Sequence, residues 1–427
     1  MKQSTLIPTT PLPTASRDES GQSLYTRRFH VMSKPGGSAC NLDCQYCFYL
    51  HKEDLLEQKR EERMSFERLE HYIRDYIESQ DGEQIVFSWQ GGEPTLLGLD
   101  YYKKAVEFQK KYQPAGVTIE NDLQTNGIML NDQWCEFLSK NNFLVGLSID
   151  GPREMHDKYR VSKNGKPTFD LVMKAVDRMK RHKVRFNALA VINNHNVKYP
   201  LEVYRFLTKE LGATYVQFTP CVESKDFTTT APQFWQESDL PVVGDPRCQP
   251  THPESIVTDW SVDANDWGHF LKTVFEEWVN NDLGRVLVNL FETAVAQMMG
   301  KPSQLCVTAE FCGKGLAVEH DGSVYSCDHY VYPEYQLGHI DNDSLANLVF
   351  SERQKAFGLS KRDTLPKKCK ECRYLKLCWG ECPKNRLLKT ESGEAGLNYL
   401  CPGIQDFFAY AAPMLMGIVT LIRQGKL

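Results

Sequence analysis

The chain has 427 residues, 41% of them hydrophobic and 25% charged, which is enough for two or three cores and excludes disorder of the whole. A formal charge of −5 gives no electrostatic reason for nucleic acid or an anionic membrane as a partner. Fourteen cysteines, an N-terminus without the apolar core of a signal peptide, and no run of roughly 18 apolar residues predict a cytoplasmic protein. In that reducing compartment thiols bind metal or do redox work rather than form a disulfide framework.

In chain order, residues 1–27 read as a flexible tail. β-branched or aromatic runs follow at 29–33, 85–90, 116–124, 143–149, 184–192 and 215–221, separated by longer amphipathic segments, which is the βα alternation. Ser65 is placed to cap the helix "FERLEHYIRDYI", and Asn131 or Asp132 to cap "WCEFLSK". Six such units predict an α/β fold whose parallel sheet curls into a partial barrel, with function on the loops at the strand C-termini. From 223 to 262 the period fails in a Thr-, Pro- and Ser-rich stretch that reads as a long insertion or lid. The helix "ANDWGHFLKTVFEEWVNNDL" comes next, and a cysteine-rich region starts at Cys306.

Eleven of the fourteen cysteines fall into ordered groups, leaving Cys135, Cys221 and Cys248. The first group is "CNLDCQYC", Cys40, Cys44 and Cys47, directly after the first strand. On a helix the three would share one face. The polar Asn41, Asp43 and Gln45 and the preceding "PGG" favour instead a loop wrapped around an inorganic core. A structural zinc site wants four closed ligands; three thiolates leave one metal position open to a substrate or cofactor. The C-terminal groups, Cys306, Cys312, Cys327 and then Cys369, Cys372, Cys378, Cys382 and Cys401, add eight thiols. They suffice for two fully ligated four-iron clusters, and CxxC pairs suit zinc ribbons equally well.

Cys40-x3-Cys44-x2-Cys47 followed by Phe48 and Tyr49 resembles the signature of the radical S-adenosylmethionine (SAM) superfamily. The resemblance implies a [4Fe-4S] cluster on the three thiolates, with SAM on the open iron, chemistry that thiolate ligands suit. "QGGEP", Gln90, Gly91, Gly92, Glu93 and Pro94, resembles the motif whose backbone and acidic side chain meet the methionyl ammonium. In "LSIDGPREMHDKYR", Ser148 and Asp150 resemble residues that contact the SAM ribose or carboxylate, and Arg160 is a candidate cation for that carboxylate, with a solvated surface arginine as the alternative. The C-terminal cysteines resemble the SPASM extension. This implies a partial (β/α)6 TIM-like barrel over 28–285, with a SPASM domain over 286–427. One auxiliary cluster would then sit on Cys306, Cys312, Cys327 and Cys382, and another on Cys369, Cys372, Cys378 and Cys401, making three [4Fe-4S] clusters in all.

Across about Phe29 to Gly403 the text is similar to the anaerobic sulfatase-maturating enzymes, in "KPGGSACNLDCQYCFYL", "FSWQGGEPTLLGLDYY", "LQTNG", "YSCDHYVYPEYQLGHI" and "CPGI". The N-terminal tail and the 223–262 segment depart from it. That family resemblance implies oxidation of a Cys or Ser in an unfolded or nascent sulfatase polypeptide, within C/S-x-P/A-x-R, to Cα-formylglycine. It also implies an electron donor such as a flavodoxin or ferredoxin, Asp328 as the base that takes the substrate proton, and Tyr49 lining the substrate site. A carboxylate closed off from bulk water is expected to have a raised pKa; the alternative for Asp328 is a turn residue beside Cys327. Two other functions fit parts of the pattern. A SPASM maturase of another peptide, forming for example a thioether, would share the SAM-binding residues. A non-catalytic iron-sulfur or zinc protein would explain the cysteines but not "QGGEP" or "LSIDGP".

Overall fold

The computed structural model describes residues 28–58 and 62–427; the expected tail, 1–27, lies outside the described residues. Six strands, β1 (His30–Lys34), β2 (Gln84–Trp89), β3 (Thr118–Thr125), β4 (Leu144–Ser148), β5 (Arg185–Ile192) and β6 (Tyr215–Pro220), each overlap the run that predicted them. They pair in sequence order and all in parallel, in registers such as Ile85↔Ile119 and Leu147↔Ala188. Helices return the chain between them. Ser65 accepts the Arg68 N–H at 3.2 Å to start Phe66–Glu78, and Asn131, rather than Asp132, accepts the Trp134 N–H at 3.0 Å to start Asp132–Lys140. Leu69, Tyr72, Ile73, Tyr76 and Ile77 form the buried stripe of the first of these helices, and the two tyrosines meet Phe87 of β2 edge to face.

Apart from one short antiparallel pair, Leu388–Lys389 with Ala395–Leu397, the strands of the cysteine-rich region join the barrel sheet. β7 (Leu287–Val288) extends the edge at β6, and β8 (Gly315–Glu319) pairs in parallel with β1 from His30↔Gly315 to Lys34↔Glu319. β9 (Ser323–Tyr325) and β10 (Gln336–His339) follow in antiparallel, giving the order β10-β9-β8-β1-β2-β3-β4-β5-β6-β7. The boundary expected near 285 is therefore not a break in the sheet.

The aperiodic 223–262 segment is strapped down along its length. The Tyr332 hydroxyl donates to the Phe227 carbonyl at 2.5 Å and the Tyr335 hydroxyl to that of Pro232 at 2.7 Å. Lys389 N–H reaches the Pro241 carbonyl at 2.8 Å, and Lys384 Nζ reaches Glu223 at 2.9 Å. These bonds satisfy polar groups that a free loop would leave to water.

One sequence expectation fails here. The helix Cys401–Arg423, 23 residues with a mean hydropathy of 1.4 in its most apolar stretch, is long and apolar enough by composition to cross a membrane. Its inner face, including Ile404, Phe407, Phe408, Leu415 and Val419, is buried. Phe407 meets Phe275 and Phe291 of the helices Ala264–Asn281 and Asn289–Met298. Backbones touch where Gly403 crosses Gly268: a Cβ on Gly403 would lie 2.8 Å from the Gly268 nitrogen and closer still to the Ala264 carbonyl oxygen. Gly403→Ala is therefore expected to cost about 1–3 kcal/mol or more by overpacking, seen as a lowered anaerobic thermal midpoint, whereas Gly417→Ala, which meets nothing within 4 Å, should not lower it.

Candidate active site

The triad loop is held in a non-helical form by its neighbours. Gly37 turns the chain at φ +57°, its N–H on the Lys34 carbonyl at 3.0 Å. The end of β2 then runs alongside: Gly92 N–H donates to the Gly37 carbonyl at 2.9 Å and Glu93 N–H to that of Ala39 at 2.8 Å. A Cβ on Gly92 would sit 2.5 Å from the Ser38 carbonyl oxygen, so no side chain fits there. Asp43 N–H donates to Val161 at 2.9 Å, which ties the loop to the segment after Arg160. Burial, with the charges of Glu93 and Cys47, pushes the Cys40 thiol up to about 12, and burial raises Cys44 and Cys47 as well. A bound cation favours the thiolate form of thiols so placed, which is how metal binding and proton release are linked.

The "QGGEP" and "LSIDGP" residues converge on this loop with more internal bonding than their motifs suggest. Glu93 is buried, and its carboxylate accepts from Thr95 N–H at 3.0 Å, Thr125 Oγ1 at 2.7 Å and Asn126 N–H at 2.8 Å. It braces the ends of β2 and β3, and Oε2, with one donor, keeps acceptor capacity. Gln90 N–H is bonded to Ser33 at 2.8 Å, and Ser148 Oγ accepts from Gln124 at 2.9 Å. Asp150 is fully buried. It accepts from the Tyr46 hydroxyl at 2.5 Å and the Val191 N–H at 3.0 Å, and pairs with Arg160 Nε at 3.0 Å. Arg160 is only 6% exposed, so the surface alternative is overturned; the Asp150 ion pair and the Tyr46 ring 5.5 Å away hold it inside.

The eight C-terminal cysteines sort into two neighbourhoods. Cys369, Cys372, Cys378 and Cys401 line one cavity with Tyr374, Leu375 and Ile404. Cys327 feels the charges of Cys306 and Cys382, and Cys312 feels that of Cys306. In that second group, buried Lys361 donates from Nζ to the carbonyls of Cys306 at 2.6 Å and Val307 at 2.8 Å, bringing a cation among thiols that burial pushes up. Among the described residues no three His, Cys, Asp or Glu side chains converge tightly enough for a single metal ion. An all-thiol donor set spread around a cavity fits a larger iron-sulfur core better than one tetrahedral zinc.

Asp328 lies just beyond β9 and reaches the end of β1, where the triad loop begins. Its carboxylate forms an ion pair with Lys34 Nζ, the two side chains being 15% and 2% exposed. Lys34 also lies 3.6 Å from the centre of the Tyr49 ring, and the Tyr49 hydroxyl donates to Glu319 at 2.5 and 2.6 Å. Glu319 is the register partner of Lys34. The expected direction of the Asp328 shift is reversed. Burial does push its carboxyl up, but Lys34 and His329 outweigh it and hold the group below the usual carboxylate range. Phe48 lies tilted over His329, ring centres 4.7 Å apart, on the near side.

Residues 35–207 match the radical SAM superfamily, and residues 306–373 match an iron-sulfur cluster-binding domain, SPASM. A serine-type anaerobic sulfatase-maturating enzyme of Bacteroides thetaiotaomicron is 44% identical over 391 residues, covering 92% of this chain and 91% of the relative. A cysteine-type enzyme of Clostridium perfringens is 32% identical over 395 residues, covering 92% and 99%. The chain belongs to the anaerobic sulfatase-maturating enzymes. It is an oxidative radical SAM enzyme, which removes the non-catalytic alternative. The solved structure of anSMEcpe with bound AdoMet and the Cp18Cys peptide superimposes with a TM-score of 0.78 at 32% identity, covering 92% of this chain and 99% of that one.

For this maturating enzyme the sequence singled out the cysteines and the motif residues but missed the side chains that hold them. Lys34 lay in "SKPGG" and Glu319 in "AVEHDG", where each reads as an ordinary strand-end charge. Tyr46 and Gln124 sat inside quoted motifs without a role. Lys52 is buried, with Nζ 3.2 Å from the centre of the Tyr332 ring, and burial lowers it to about 7.

Replacing Lys34 by Met would leave Asp328 buried without its counter-ion, a loss of about 3–5 kcal/mol near neutral pH. In the variant the folded carboxyl rises above its unfolded value. Its penalty is therefore full above that raised pKa and is relieved as pH falls through it. The stability gap to wild type in anaerobic urea unfolding should accordingly narrow as pH is lowered; a gap constant across acid and neutral pH would detach Lys34 from Asp328.

Proposed function

We propose that this chain oxidises one Cys or Ser of an unfolded or nascent sulfatase polypeptide, within C/S-x-P/A-x-R, to Cα-formylglycine. The observation that carries the reading is the ion pair of Asp328 with Lys34, the last residue of the strand that leads into the Cys40–Cys47 loop, in a chain 44% identical to a serine-type maturating enzyme. The eleven grouped cysteines suit three [4Fe-4S] clusters: Cys40, Cys44 and Cys47 hold the first, Cys306, Cys312, Cys327 and Cys382 the second, and Cys369, Cys372, Cys378 and Cys401 the third. Residues 286–427 form the domain that carries the last two. When bound, the first cluster and SAM together supply a 5′-deoxyadenosyl radical that removes a hydrogen from the substrate Cβ.

The remaining work falls to side chains of this enzyme. The Gln90–Gly92 backbone, with Glu93, Ser148, Asp150 and Arg160, orients SAM beside the triad. Asp150 acts there through its hold on Arg160 and Tyr46. Tyr49 walls the site beneath Lys34. Asp328, kept ionised by Lys34, accepts the thiol or hydroxyl proton at its carboxylate. With the Cβ hydrogen and the thiol or hydroxyl proton gone, one further electron, which a bound iron-sulfur cluster would accept, must leave; Ser then gives the aldehyde directly, and Cys gives a thioaldehyde that water hydrolyses with release of sulfide. The 223–262 strap, bonded to Tyr332 and Tyr335, excludes water from the Phe48 and His329 side of the pocket. A flavodoxin or ferredoxin in the cytoplasm supplies electrons.

Anaerobic incubation with SAM, a reductant and a synthetic peptide tests the reading by mass. Loss of about 18 Da from a Cys peptide, or about 2 Da from a Ser peptide, is what an aldehyde requires; unchanged peptide alongside SAM cleavage would sink it. Asp328→Asn should lower formylglycine yield by roughly 10²-fold or more while 5′-deoxyadenosine continues to form, so the ratio of the two rises. If the ratio stays at the wild-type value, or iron is lost, Asp328 is a turn residue and not the base.

A further inference from the structure

Between Pro366 and Leu377 the chain carries five cations and one acid, in a molecule whose formal charge is −5. The cations interleave with Cys369, Cys372 and Cys378, which with Cys401 line one cavity. Lys368 is occupied by Glu391 at 2.6 Å, and Lys367 lies 3.7 Å from Glu371. Lys370, Arg373 and Lys376 are exposed, and among the described residues none has a carboxylate within salt-bridge distance. Lys370 adjoins Cys369, Arg373 adjoins Cys372, and Lys376 is two residues from Cys378. Each is thus within about 8 Å of a ligand residue along the backbone. Unpaired cations gathered at one point of an acidic protein create a local field that attracts an acidic partner and sets its orientation.

We propose that Lys370, Arg373 and Lys376 form the docking surface for an acidic one-electron carrier protein, which reduces the iron-sulfur group held by Cys369, Cys372, Cys378 and Cys401. The step moves one electron and no proton or bond: the carrier is oxidised by one electron and the group is reduced by one. The proposal rests on the reading that these four thiols hold a cluster. An iron content well short of the roughly twelve per chain that three clusters require would remove that reading before the docking surface is tested.

The test uses the iron-loaded enzyme, an acidic flavodoxin as the carrier, and reduced methyl viologen as a small cationic reductant that needs no docking surface. The triple charge reversal K370E/R373E/K376E should weaken binding of oxidised flavodoxin at low salt by ~10-fold or more in calorimetry and slow cluster reduction by reduced flavodoxin by a similar factor. Bleaching of the cluster absorbance by methyl viologen should stay within about 2-fold of the unaltered enzyme. On the unaltered enzyme, added salt should slow reduction by flavodoxin and not by methyl viologen. Unchanged flavodoxin binding overturns the proposal. So does weaker binding without slower reduction, or an equal loss with methyl viologen, which would mean that the cations only tune the cluster. If the reversed variant loses iron, K370Q/R373Q/K376Q and the salt series decide, and a flavodoxin rate indifferent to salt overturns it.

Discussion

The parallel pairing of β1 with β8 is the contact on which the site depends. It joins residue 30 to residue 315 and residue 34 to residue 319, so two cysteine regions far apart in sequence are carried by neighbouring strands of one sheet. The loop after β1 carries the triad, and the turn beyond β9 carries Cys327 and Asp328. Every later placement follows from that register. Lys34 and Glu319, brought level, define a buried charged layer beneath the pocket, with the Tyr49 ring between ammonium and carboxylate. A slip of one residue would turn each of these side chains to the opposite face.

The layer also shows which electrostatic effect wins. Burial by itself would neutralise a carboxyl, and it does raise Glu319 to about 7. Asp328, in direct contact with Lys34, goes the other way. Two acids in one low-dielectric region are thus driven apart by a single ammonium that touches one of them. The cationic side chains around the thiols follow the same logic. Arg160 near Cys44 and Lys361 among Cys306, Cys312 and Cys382 are fixed positive charges that offset what burial costs the thiolates.

What the sequence made legible was local. The six barrel strands announced themselves by β-branched runs, the Ser65 and Asn131 caps by their side-chain chemistry, and the eleven grouped cysteines by spacing. What it hid was long-range. Nothing near Lys34 indicates a partner nearly three hundred residues away, and Arg160 in "HDKYR" looks like a solvated charge until the Asp150 pair is seen. The shift of Asp328 was misjudged for the same reason, since its sign depends on a residue from another strand. The apolar Cys401–Arg423 helix was overlooked because Pro413 and small residues dilute its pattern.

The interleaving of the C-terminal cysteines has a consequence for biogenesis. With the pairing proposed above, one auxiliary group lacks its last ligand until Cys382 has been synthesised and the other until Cys401, which opens the helix Cys401–Arg423. Neither group can close before its last cysteine has been made. Any fragment that stops before residue 382 therefore leaves both auxiliary groups without their full ligand sets.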